Sequence, residues 1–162
     1  MSDMLVKLYA LPELPQTRIQ ELEEEGYAFR RALAPEKHLV LPWVREHFSD
    51  YWASEVSIAF SRQPVSCFLA IREGVMQGFA CYETTQKAFF GPTGVHESQR
   101  GKGLGKLLLL MALHGLRDLG YAYGIIGGVG PAGFYQQAVG ATLIPGSKPG
   151  IYEGLLRPRK EE

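Results

Sequence analysis

The sequence has 162 residues, of which 46% are hydrophobic and 21% charged. That length and balance fit one globular domain of ordinary composition and argue against a disordered chain. Seventeen Lys and Arg offset seventeen Asp and Glu, so no bulk positive charge draws the chain to nucleic acid, and only a small local basic site stays open.

Residues 4–10 alternate and read as a short strand. Pro12 and Pro15 follow, and the charged stretch from Arg18 to Glu25, stopped by Gly26, reads as a helix. Residues 27–63 carry two further helical patterns. One runs from Pro35 toward Phe48 with Pro42 inside it; the other starts at Ser49 and places Trp52, Val56, Ala59 and Phe60 at helical spacing. From Pro64 the period becomes that of strands. Val65–Arg72 and Val75–Thr84 flank Glu73-Gly74 as a hairpin. Lys87–Val95 is a third strand, interrupted by Gly91-Pro92. Leu104–Leu119 reads as a helix apolar on almost every side, expected to pack between a sheet and other elements, and Gly120 stops it. Tyr121–Val129 is a strand, Pro131–Val139 a short helix, and residues 141–144 and 151–157 are two last strands before a solvated tail. The order predicts a single domain over 1–162 of the α+β class: a mixed, mostly antiparallel sheet of about seven strands with helices on its faces.

No apolar run approaches the roughly 18 residues that cross a bilayer, and no basic region followed by an apolar stretch opens the chain. The expectation is a cytoplasmic protein with no membrane partner. Cys67 and Cys81 fall on the two hairpin strands and are expected to be reduced core residues. His38, His47, His96 and His114 show no metal-ligand spacing, so no metal is expected.

Glycine is in excess, 19 residues against an average share of about 7%. The sharpest cluster is Arg100-Gly101-Lys102-Gly103-Leu104-Gly105-Lys106, between a strand and the apolar helix. Alternate glycines leave the backbone bare to an approaching anion. The helix start adds unsatisfied N–H groups and a positive dipole end. With three interleaved cations, this is a phosphate or pyrophosphate site. It is not the Walker loop, since Leu107 follows Gly105-Lys106 where Ser or Thr is required. Gly128-Val129-Gly130-Pro131-Ala132-Gly133 fits the dinucleotide fingerprint, but too little chain follows for the βαβαβ half that gives it meaning.

Arg100-x-x-Gly103-x-Gly105, set between a strand ending at Val95 and a Leu-rich helix, resembles the motif of the GNAT superfamily of acyl-CoA-dependent N-acetyltransferases. Phe134-Tyr135-x4-Gly140-Ala141 resembles that family's second segment, with one extra residue in the spacer; Glu97 stands where the family commonly has proline. The resemblance covers about residues 64–157. It implies the acyl-CoA N-acyltransferase fold, an α/β sandwich with helices on both sheet faces, in which two strands splay apart at Thr93–Val95. It implies acetyl-CoA as acyl donor, held by Gly94, Val95, His96, Gln99, Arg100, Gly101, Lys102, Gly103, Leu104, Gly105, Lys106 and Tyr135. The implied reaction is direct attack of a small-molecule amine on the thioester in a ternary complex, and the fold's habit of pairing through sheet edges implies a homodimer.

Within that reaction Tyr135 is the expected proton donor to the departing thiolate. Glu83, near the end of a central strand, is the expected general base, with His96 and Glu97 as alternatives. Trp43, Tyr51, Trp52 and Phe60 are aromatic enough to line an acceptor pocket, though their helical spacing equally suits a core; Ser147, Lys148 and Tyr152 are further candidates. A second reading is a non-catalytic acyl-CoA-binding module on the same fold.

Overall fold

The computed structural model describes residues 1–161. Its central strands are apolar on both faces. In β4 (Val75–Tyr82), Phe79 and Cys81 point to one side and Ala80 and Tyr82 to the other, and all four are buried. A strand covered on both faces needs helices above and below it. The chain supplies them in the order β1 (Met4–Lys7), α1 (Gln16–Glu24), β2 (Tyr27–Arg31), α2 (Lys37–His47), α3 (Asp50–Ala59), β3 (Cys67–Arg72), β4, β5 (Phe89–Val95), α4 (Leu104–Asp118), β6 (Tyr123–Ile126), α5 (Ala132–Val139) and β7 (Thr142–Leu143).

The seven strands form one sheet in the order β2-β3-β4-β5-β6-β1-β7. Every neighbouring pair is antiparallel except β5 and β6. The long helix α4 lies across β3, β4 and β5, and its Leu107, Leu108, Leu109, Leu110, Leu113 and Leu116 are all buried. With α5 it closes one face, where α1 caps the near end through Leu22. Helices α2 and α3 close the other face over Cys67, Leu69, Phe79 and Cys81. Cys67 and Cys81 sit directly opposite each other across β3 and β4, buried and free, as core thiols. No helix among the described residues is long and apolar enough to cross a membrane.

The expected seven-stranded mixed sheet is present, but two strands differ. Residues 27–31, read with the helical region, form the edge strand β2. Its pattern is a true alternation, with Tyr27 buried and Phe29 packed inward, masked by Arg30 and Arg31. The expected strand at 151–157 is absent. Gly150 and Gly154 take positive φ, and Gly150–Tyr152 curls into a 3-10 turn. At the other end of the chain the expected first strand forms over Met4–Lys7 and lies between β6 and β7, antiparallel to both.

Asp3 fastens this arrangement. Its N–H donates to Ser147 Oγ at 2.8 Å, its carbonyl accepts from Ile144 N–H at 2.9 Å, and its carboxylate accepts from Gly128 N–H at 2.8 Å. Asp3 is 8% exposed, so removing the carboxylate takes a buried acceptor away from Gly128 N–H, which is itself half-buried. Asp3→Ala should cost about 1–3 kcal/mol and lower Tm by about 3–10 °C for a domain of this size, read by thermal unfolding.

Candidate active site

Strands β5 and β6 pair only through Phe89 with Ile125 and Phe90 with Ile126. Beyond them β6 ends, while β5 runs on through Gly91, Pro92, Thr93, Gly94 and Val95 with a partner on its β4 side alone. The sheet opens into a V at this point. Pro92 has no N–H to offer a ladder, and the β4–β5 register slips at Ala80/Tyr82, facing Gly91 and Pro92.

Which amides point into the V follows from alternation along a strand. His96 N–H donates to Gln77 O of β4 at 2.8 Å. Gly94 N–H points the same way, so Val95 N–H and Thr93 N–H point away from β4, into the opening. Of the expected cofactor residues on β5, Val95 therefore keeps a donor for a ligand, whereas Gly94 and His96 spend theirs on the sheet. Gly94 matters through its bareness instead. A Cβ there would lie 2.2 Å from the tip of the Phe48 ring.

The glycine-rich turn follows. The amides of Gln99 and Arg100 are used inside it, donating to His96 O and Glu97 O at 2.9 and 3.3 Å. The His96 ring is also used, with Nδ1 accepting from Ser98 N–H at 3.1 Å. Gly101 and Gly103 take φ of 84° and 82°, conformations that side chains rarely adopt. Leu107 is the first residue of α4 to donate back, to Gly103 O at 3.1 Å. The N–H groups of Leu104, Gly105 and Lys106 thus have no intrahelical partner. They line a concave pocket of about 520 Å³ with Val95, Gln99, Arg100, Gly101, Gly103 and Phe134. Lys102 does not line it. Its Nζ donates to Tyr27 Oη at 3.1 Å, and the Tyr27 hydroxyl in turn donates to Gln99 Oε1. Lys102 braces the turn from behind, and Arg100 and Lys106 carry the charge on its open side.

Helix α5 joins this pocket to the V. Phe134 faces the turn, and the next residue, Tyr135, lines a cleft of about 650 Å³ with Thr93, Pro92, Gly91 and Phe90 of β5. Tyr135 is buried, its ring edge-on to Phe90 at 6.4 Å. Burial raises its phenol above the ordinary value, and its hydroxyl makes no hydrogen bond within the described residues. Gly127, Gly128 and Gly130 form the opposite wall. At Gly127 a Cβ would press on the Phe89 ring at 3.0 Å and the Tyr152 hydroxyl at 3.1 Å, and Gly128 holds φ of 56° for its bond to Asp3. The second glycine cluster keeps the cleft wall thin and is no dinucleotide loop.

The cleft continues, through shared Trp52, Phe90, Gly91, Pro92, Gly127 and Gly128, into a larger pocket of about 960 Å³. Its floor carries Glu55 of α3. The carboxylate accepts from the Thr85 hydroxyl, and burial raises its pKa. Tyr152 shares the pocket, its phenol raised by burial and then by the negative charges of Glu55 and Asp3.

Glu83 is not brought here. Its carboxylate accepts from Ala88 N–H at 3.2 Å, its carbonyl accepts from the Arg62 guanidinium at 3.0 and 3.2 Å, and it lines a separate hollow with Arg62, Ser66 and Leu119. At φ 58° it shapes the turn between β4 and β5. Glu97 is exposed on the outer side of the glycine turn. Glu55 was missed by sequence reasoning; the signal was a carboxylate three residues after Trp52 on one helix face.

The family model described as acetyltransferase (GNAT) matches residues 19–140. The chain belongs to the GNAT acetyltransferase family. Solved structures agree on the fold. A GCN5-related glucosamine N-acetyltransferase region of a fungal multi-domain β-N-acetylglucosaminidase superposes with TM-score 0.70 at 14% identity, over 88% of this chain and 19% of that one. A GCN5-related N-acetyltransferase from Sphaerobacter thermophilus gives 0.67 at 19% identity, over 88% and 48%. A GNAT acetyltransferase from Brucella melitensis in complex with acetyl-CoA gives 0.56 at 16% identity, over 73% and 86%. The chain thus spans half or less of the first two of these proteins. No curated protein sequence matches it. In this GNAT domain the pocket at the start of α4 and the cleft at Tyr135 are neighbours, bridged by Thr93–Val95 of β5 and by Phe134–Tyr135 of α5.

Proposed function

We propose that the domain transfers the acetyl group of acetyl-CoA to the primary amine of a small molecule by direct attack. The observation that carries this reading is the V itself. It sets the outward Val95 N–H and the free α4 amides in one pocket and Tyr135 in the neighbouring cleft, which opens onto a pocket holding a half-buried carboxylate. The residues fit the donor. Unpartnered N–H groups at a helix start, with Arg100 and Lys106 beside them, suit a pyrophosphate, and an unpaired strand edge suits an extended amide-bearing arm.

In the reaction the amine nitrogen bonds the thioester carbon, the C–S bond breaks, and CoA leaves as a thiolate that takes a proton. An alkylammonium has pKa about 10.4, so its neutral, attacking form costs about 4.6 kcal/mol at pH 7. Glu55, with its raised pKa, is the carboxylate placed to accept that proton, directly or through water. Val95 N–H supports the carbonyl oxygen as charge builds on it. Tyr135 supplies the proton to sulfur. Two groups able to move protons, Tyr135 on the cleft and Glu55 on the pocket that adjoins it, favour catalysis over a purely acyl-CoA-binding module.

The test is calorimetric titration with acetyl-CoA followed by release of free CoA thiol in the presence of primary amines. Binding followed by amine-dependent release is expected. Binding with no release from any amine would support the binding module, and absence of binding would reject both readings.

A further inference from the structure

The pocket beyond the V has one charged side chain and many apolar ones. Trp52, Tyr51, Phe90, Tyr152 and Leu155 wall it around Glu55; no Lys, Arg or His side chain among the described residues lines it, and the amino-terminal Met1, largely exposed, borders it. Its remaining polar side chains are few, and two are committed. The Tyr51 hydroxyl donates to Leu156 O at 2.8 Å, which draws the segment after Tyr152 over α3, and the Thr85 hydroxyl donates to Glu55. The site is therefore a low-polarity cup with a single anion at its floor.

We propose that the acceptor is a cationic monoamine with an apolar or aromatic body and no acidic group, anchored by its ammonium on Glu55. This rests on the transfer reading above and names the substrate class of the same site. The ammonium donates a charge-assisted hydrogen bond to the carboxylate, and the aromatic rings around it favour a cation and bury the substrate's body. An amino acid brings a carboxylate into a cup whose only charged side chain is already negative, and that repulsion is strong where water is scarce. A polyamine leaves its further charges without partners. An amino sugar buries hydroxyls that the cup's few polar groups do not satisfy.

The test uses the whole chain with saturating acetyl-CoA and four probes: phenethylamine, phenylalanine, spermidine and glucosamine. Thiol release should give phenethylamine a kcat/KM at least about tenfold above each of the others. Glu55→Gln should raise the KM for phenethylamine by at least about tenfold, with the Kd for acetyl-CoA unchanged. Thr85→Val should move the same KM in the same direction by less, which covers the case in which Glu55→Gln unfolds. Preference for phenylalanine, spermidine or glucosamine, or a KM indifferent to Glu55, would overturn the proposal. If acetyl-CoA binds and no amine turns over, calorimetry of phenethylamine on the CoA-loaded protein decides. Glu55-dependent binding would uphold the substrate class while rejecting transfer; no binding would reject the substrate class as well. If acetyl-CoA itself does not bind, the same titration on the free protein separates the two in the same way.

Discussion

Replacing Tyr135 by Phe should lower kcat by about 10²- to 10⁴-fold and leave the Kd for acetyl-CoA within about twofold. The split follows from what the hydroxyl does in the fold, which is nothing within the described residues. It bonds no protein group, so Phe keeps the ring, its edge contact with Phe90 and the packing of α5 on the sheet. What is lost, on the proposed reading, is the hydroxyl that hands a proton to the departing sulfur. The pH profile gives a second readout that packing alone would not move. Tyr135 must be protonated to act, and burial raises its pKa, so activity should hold through the neutral range and fall only above the ordinary phenol range. Glu55 must be deprotonated to act, and burial raises its pKa too. Activity should therefore fall on acidification at a pH higher than an exposed carboxylate would give. Phe at 135 should abolish the alkaline limb and keep the acid one. A kcat unchanged by the substitution would remove Tyr135 from the chemistry.

The parts of this site legible in the sequence are those whose chemistry is local. Alternate glycines before a helix specify bare amides whatever surrounds them, and Gly101, Gly103 and Gly105 stand on the pocket as expected. Tyr135 likewise needs only the short helix that carries it. What could not be read depends on contacts between distant segments. Lys102 counts as a cation in any sequence motif, yet Tyr27, on a strand hidden by its arginines, draws it to the back of the turn. Glu83 and Glu55 are both single carboxylates near apolar runs. Which one meets the V is decided by the path of the 83–88 turn, where Glu83 takes a positive φ and bonds Ala88 N–H, and by the face that α3 presents between Trp52 and Thr85. The expected last strand failed for a different reason. Ile151, Leu155 and Leu156 are apolar but all exposed, and Gly150 and Gly154, both at positive φ, turn the backbone out of a strand.

Gly103→Val should raise the Kd for acetyl-CoA by about 10- to 150-fold while α4 stays folded. A Cβ at Gly103 meets nothing within 4 Å, so the change is not steric against the core. Its cost lies in the backbone. Gly103 holds φ 82° and ψ 10° as the residue before α4, and a side chain in that left-handed region costs about 1–2 kcal/mol, more when branched at Cβ. The chain can relieve this only by rotating φ, which re-aims the Gly103 and Leu104 amides away from the pocket. Losing one hydrogen bond to a charged group costs about 1.5–3 kcal/mol, which sets the expected range. Gly105→Ala is the matched control. Gly105 sits in the first turn of α4 with no positive φ, and its added Cβ would lie 3.8 Å from Val95 Cγ2, an ordinary contact. It should keep Kd within about twofold and leave Tm unchanged or slightly higher, since Ala favours a helix over Gly by up to about 1 kcal/mol. The two glycines lie two residues apart in one motif, so a common loss in both variants would show that bulk near the pocket matters. A loss confined to Gly103→Val would show that the turn binds through the direction of its amides.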